Sequence, residues 1–144
     1  MKRYFVWLLL LAMVLAGCGK EPEETVVDGV TISYGKSLIY SKEDMDEAIV
    51  LIRERFDTWE GCELHSIRYV SDEENNAENI EWMNKLEEAN DAQEVFTQCI
   101  MFESSFHSPV HNSGAWNPDQ EYTGWQWWLA RAEGGRWKLM TWGY

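Results

Sequence analysis

The chain has 144 residues, 12 basic against 25 acidic side chains, a formal charge of −13 at pH 7, and 9 tryptophans. That length suits one domain with a single real core. Charge of this sign repels phosphates and anionic headgroups alike, so nucleic acid is excluded as a partner and any membrane attachment must come from something other than surface charge.

The first predicted element is a leader. Lys2 and Arg3 form a short positive region, and Tyr4 to Leu15 then run without a polar residue for twelve positions. A bilayer core needs about 20 helical residues, so the run is short for a span and has the charge order of a secretory signal. It ends in Leu15-Ala16-Gly17-Cys18. That tetrad resembles the lipobox of bacterial lipoproteins. The resemblance implies cleavage between Gly17 and Cys18, a diacylglyceryl thioether on the Cys18 sulfur, and attachment to membrane lipid through that cysteine. Each buried methylene contributes about 0.8 kcal/mol and stable anchoring takes roughly two acyl chains, so a lipidated Cys18 would hold the protein without a spanning helix. The expected organisation is a signal peptide over 1–17, a lipidated cysteine and polar tether over 18–34, and one domain over 35–144. Within the tether, the stretch from Val30 to Ile32 reads as a short edge strand.

The clearest helix follows in YSKEDMDEAIVLIRERFDTWEG. Ser41 caps its start and Asp44, three residues on, completes a capping-box pair. Met45, Ala48, Ile49, Ile52 and Phe56 lay one apolar stripe along it, and Gly61 ends it. Residues 62–70 (CELHSIRYV) alternate as a strand. Residues 75–90 form a second helix through Ile80, Met83 and Leu86, with Asn90 at its carboxyl cap. Residues 94–106 are a longer strand, apolar on both faces near its middle. Residues 125–144 form a hairpin turning at Glu133-Gly134-Gly135, where glycine tolerates positive φ. Alternation places Trp125, Trp127 and Leu129 on one face, and Trp137, Leu139 and Thr141 on one face of the return strand. Trp128 and Trp142 then fall on the more polar face, with Gln126, Arg136 and Lys138, and are the candidate ligand contacts.

The order of elements gives an α+β fold, a long amphipathic helix packed on a curved antiparallel sheet. With its helix opening YSKEDMDEAI, its GCEL…YV strand and its closing WQWWLAR…GGRWKLMTWGY hairpin, residues 35–144 resemble the nuclear-transport-factor-two-like, cystatin-like cone. They are similar in particular to small uncharacterised lipoproteins of Firmicutes. The cone superfamily contains isomerases, dehydratases and pure binding modules, so the resemblance implies a fold and leaves activity open.

Chemistry has few other footholds. The loop 106–124 carries His107 and His111, with Asp119 and Glu121 following. The spacing of four would place both rings on one side of a helix, but Pro109 between them opposes a helix, and no metal is expected. Asp57, Glu63 and Glu103 are candidate general bases if the cone encloses a cavity. Cys62 and Cys99 would pair only if their strands face each other; two buried free thiols are the other reading. No HExxH, CxxC, glycine-rich phosphate loop or Ser/His/Asp signature is present, and no cofactor is expected. The leading expectation is a membrane-anchored extracytoplasmic domain that binds a small ligand or an envelope protein without catalysis. The alternative is a small cone enzyme with a cavity carboxylate.

Overall fold

The computed structural model describes residues 23–144. The lipobox residues Gly17 and Cys18, and the whole expected signal peptide, lie outside them. The described chain forms strands β1 (Glu24–Val27) and β2 (Val30–Ser33), helix α1 (Lys42–Phe56), strand β3 (Glu63–Tyr69), helix α2 (Ala77–Ala89), and strands β4 (Gln98–His107), β5 (Glu121–Arg131) and β6 (Lys138–Gly143). A single turn of 3-10 helix, Asp72–Glu74, precedes α2. No helix among the described residues is long and apolar enough to cross a membrane.

The six strands lie in one open sheet in the order β1-β2-β3-β4-β5-β6. Pairs β3–β4, β4–β5 and β5–β6 are antiparallel, as expected, but β2 and β3 run parallel, so the sheet is mixed rather than wholly antiparallel. The reason is that the chain leaves β2, crosses the sheet as α1 and returns in the same direction. Residues 24–33, expected within the tether, form the β1–β2 hairpin and extend the sheet beyond the anticipated edge strand.

Helix α1 begins as its sequence demands. The Ser41 side chain accepts from the Asp44 backbone N–H while the Asp44 carboxylate accepts from the Ser41 N–H. Its stripe of Met45, Ala48, Ile49, Ile52 and Phe56 is buried against Ile32, Ile67, Phe102, Phe106, Trp127 and Leu129 on one side of the sheet. Gly61 sits at φ 75°, with the space a Cβ would need lying 3.0 Å from Pro109. Glycine is therefore required there on two counts, conformation and close approach.

Helix α2 covers part of the other side. Met83 packs with Phe96, Cys99, Met101, Trp128 and Ala130. Asn84 fixes the segment before β4, accepting from the Phe96 N–H at 2.8 Å and donating to its carbonyl at 3.0 Å. Glu87, only 1% exposed, accepts both its hydrogen bonds from the Lys138 ammonium on β6, at 2.7 and 2.8 Å. A buried carboxylate without that cation would be costly.

Among the described residues, Cys62 and Cys99 are both free thiols. Cys62 stands before β3 and Cys99 near the start of β4; because these strands are antiparallel, the two thiols lie at opposite ends of the pair. Cys99 is buried beneath α2, where desolvation pushes its thiol up to about 11.

Candidate functional site

Helix α1 covers its side of the sheet, with a surface depression left at its flank between Tyr34, Lys42 and Arg53 and the β1–β2 hairpin. Between helix and sheet the space is filled by Ile52, Phe56, Ile67, Phe102, Phe106 and Trp127, and Trp59 stacks on Trp127 at 5.3 Å. At the end where β4 meets β5, Trp59, Trp116, Tyr122 and Trp125 close over Phe106, with ring centroids 4.9 to 5.7 Å apart in the contacts to it. The candidate bases do not line an enclosed cavity there. Asp57 and Glu63 are exposed, and Glu103 projects from the opposite side of the sheet, beside Arg68.

The α2 side is only half covered. Strand alternation places Cys99, Met101, Trp128 and Ala130 under the helix. It then carries Thr31, Ser33, Ser66, Arg68, Glu103 and Ser105 onto the uncovered half. These residues, with Glu24 and Thr123, line a depression of about 290 Å³ that crosses strands β1 to β5. Two ladder irregularities shape it: one between Leu64 and Ser66 on β3, the other between Ser104 and Phe106 on β4 opposite Thr123 and Gly124. Such bulges bend a strand and re-aim its side chains. The Ser66 and Ser105 hydroxyls share a hydrogen bond at 2.6 Å, and Arg68 donates to the Glu103 carboxylate.

Beside this trough, further along β3, β4 and β5 from Ser66 and Ser105, lies a cluster that the sequence reveals only in part. His107 is hydrogen-bonded through Nδ1 to the Glu121 carboxylate at 3.1 Å and through Nε2 to the Asp119 carboxylate at 2.9 Å. His65 reaches the other oxygen of Glu121 at 2.9 Å and lies 3.7 Å from Glu63. The two imidazoles stack, centroids 6.4 Å apart. Hydrogen bonds from His107 to Asp119 and Glu121 raise its pKa above the ordinary histidine value. Glu121 is thus a bridge between two rings. His65 had not been singled out, although two successive polar residues, His65 and Ser66, interrupt the alternation of β3 and mark the bulge. His111, the other candidate ligand contact of this loop, is exposed and makes no hydrogen bond to the cluster. Among the described residues no group of three His, Cys, Asp or Glu side chains is placed to hold a metal ion.

The chain matches no protein-family model, no curated protein and no solved structure. The site therefore has to be read from its own geometry.

The tryptophans singled out in the sequence are not brought together. Trp128, expected to face solvent, is 7% exposed: Trp82 of α2 meets it edge-on at 5.3 Å, and its Nε1 donates to Gln126 at 3.1 Å. Trp142 is on the other side of the sheet altogether. A bulge opposite Trp128 and Leu129 sets Thr141 against Trp128 and Leu139 against Leu129, so the phase of β6 slips by one residue. Trp142 consequently lies across from Trp127 at 6.2 Å, with the Arg55 guanidinium 4.7 Å from its ring centre.

Proposed function

We propose that the protein is an exported lipoprotein, held by a diacylglyceryl group on Cys18 at the outer face of the cytoplasmic membrane. Its domain is of the cystatin-like cone type, and it binds a ligand or envelope protein on the uncovered half of the sheet rather than inside the cone. The observation that carries the binding reading is the contrast between the two sides. One side is packed with aromatic rings, whereas the other leaves hydroxyls, an arginine and carboxylates open along a trough. Hydrogen-bonding groups held on strands, several of them pointing the same way, are what recognition needs. The anchor reading rests on the leader and the Leu15-Ala16-Gly17-Cys18 tetrad.

The two halves are tested separately. Mass spectrometry of the mature amino terminus from native membranes is expected to find a lipidated Cys18, and Cys18→Ser is expected to release the protein from the membrane fraction. A bare sulfur, or a chain starting elsewhere, would remove the anchor. For the binding face, a thermal-shift screen against saccharides and peptides, followed by amide chemical-shift mapping, is expected to move Thr31, Ser66, Glu103 and Thr123 together. Hits that map only to the aromatic end around Trp116 and Trp142, or turnover of a screened substrate, would count against it.

A further inference from the structure

The trough runs in a definite direction and carries a definite charge. It crosses strands β1 to β5. At about 4.8 Å between neighbouring strands that is roughly 19 Å, the length of about six extended residues. No aromatic ring lines it, so a sugar has nothing to stack on. Its permanent cation, Arg68, is already engaged by Glu103. Glu24 lies at the β1 end, and on the flank of the trough, further along the strands from the Ser66 and Ser105 hydroxyls, stand Glu63, Asp119 and Glu121 around the two imidazoles. With His107 neutral, the carboxylates of the floor and its flank outnumber the one arginine, within a chain whose formal charge is −13.

Resting on the reading of this face as the recognition surface, we infer that its occupant is an extended cationic polypeptide segment, lysine- or arginine-rich, lying across the strands. His107, hydrogen-bonded to Asp119 and Glu121, sets the pH range over which it is held. A cation arriving near Glu121 competes with His65 and His107 for the carboxylate they share. Proton uptake by His107 cancels charge that the segment would otherwise meet. The groups facing these rings are Glu63 from β3, Glu121 from β5 and Asp119 from the loop before β5. Binding is therefore stronger at pH 8 than at pH 5.5.

The test uses the full chain purified from membranes in neutral detergent and a fluorescein-labelled Lys-Ser-Lys-Ser-Lys-Ser peptide, read by anisotropy at low salt. Glu24→Gln and Glu103→Gln are each expected to weaken binding about threefold, the size of one opposed charge at roughly 7 Å in water. Arg68→Gln is expected to strengthen it by a similar factor. Glu47→Gln, the same charge change on exposed α1, is expected to leave it unaltered. The weakening at pH 5.5 is expected to vanish in the His107→Gln variant. Equal weakening by Glu47→Gln would mean diffuse attraction to an acidic surface and would overturn the inference. So would shifts at the trough amides produced by a Gly-Ser peptide but not by the lysine peptide, an outcome that leaves the recognition surface standing and removes its cationic occupant. If no peptide or saccharide moves the trough amides, the recognition reading falls and the inference with it.

Discussion

The two helices are attached to the same sheet by different physics. Helix α1 presents a continuous apolar stripe and meets a continuous apolar face, from Ile32 on β2 to Leu129 on β5. Helix α2 contributes Met83 as its one fully buried apolar side chain, with Ile80 and Leu86 partly buried, and adds polar pins: Asn84 to Phe96, and Glu87 to Lys138. Apolar contact is non-directional and covers whatever it touches, so α1 leaves no enclosed space between its stripe and the strands beneath it. Polar pins act at points. They fix α2 over β4 to β6 and leave the sheet beyond them open. The trough is open because the second helix, 13 residues against 15 in α1, is pinned over one end of the sheet, not because it is much shorter.

The largest effect should come from cutting into the closed side. Trp127 is fully buried, stacks on Trp59 and donates from its Nε1 to the Ser104 hydroxyl at 2.8 Å. Trp127→Ala should cost about 3–5 kcal/mol in urea-induced unfolding, as large aromatic truncations in cores do, and should leave a buried hydroxyl without its donor. Trp82→Ala removes a ring that is itself 39% exposed and only covers Trp128. It should cost roughly 1–2 kcal/mol by the area it buries. Equal costs would break the comparison between the two sides.

The next pair sharpens it. On the α2 side, Lys138→Ala strips the cation from a buried carboxylate and should cost about 2–3 kcal/mol, less than for a fully buried pair because the lysine is half exposed. Hydrogen exchange should locate the loosening in α2 while α1 keeps its protection. On the α1 side the corresponding ion pair joins Asp44 to Arg131 at 2.7 Å, where the guanidinium also lies 4.2 Å from the centre of the Trp137 ring. Burial pushes the Asp44 carboxyl up, but hydrogen bonds from Arg131 and Ser41 outweigh it and hold the group below the usual aspartate range. A depressed folded-state value contributes stability that is present above the unfolded value, near pH 3.9, and is lost as pH falls through the folded one. Asp44→Asn should therefore be less stable than the parent at pH 7 and approach it in acid. A stability difference that stays constant down to pH 2 would show that the carboxylate charge is not what holds this helix end.

How much of this was legible in the residues follows the same division. Periodicity and capping chemistry are local, and so α1, its Ser41–Asp44 cap and its five-residue stripe could be read directly, as could the Met83 face of α2. The closing hairpin was also legible as far as Trp125, Trp127 and Leu129. Two kinds of information were not local. One is the direction of pairing: whether β2 lies parallel to β3 depends on where α1 returns the chain. The other is phase. Alternation carries forward only until a bulge adds a residue, and the bulge on β6 moved Trp142 to the side opposite Trp128. At the trough, Glu103 and the pair His107 and Glu121 were visible as candidates, but the residues that join them, Ser66, Arg68 and His65, come from β3. Only the register of the sheet brings them there.

Smaller effects are expected on the flank of the trough, where the sheet meets the long loop between β4 and β5. Gly61 is held at φ 75° with Pro109 of that loop in the way of any Cβ. Gly61→Ala should cost about 1–3 kcal/mol in strain, read as a lowered Tm, and the loop rather than α1 should show the change in hydrogen exchange. The loop's other tie is electrostatic: His107 holds Asp119 and Glu121, and those hydrogen bonds raise its folded-state pKa. A raised value contributes stability that is complete below the unfolded value, near pH 6.5, and is lost as pH climbs through the folded one. The loop should thus be tightest in mild acid and should relax at alkaline pH, the reverse of the Asp44 pair on the closed side. Because the ring is exposed, the change in global stability should be slight. The sensitive readout is an NMR titration following His107 alongside the amides of Asp119 and Gln120. A midpoint at or below that of an unstructured histidine would mean that the carboxylates do not hold the ring, and that the loop is tied down by Trp116 and Ser108 alone.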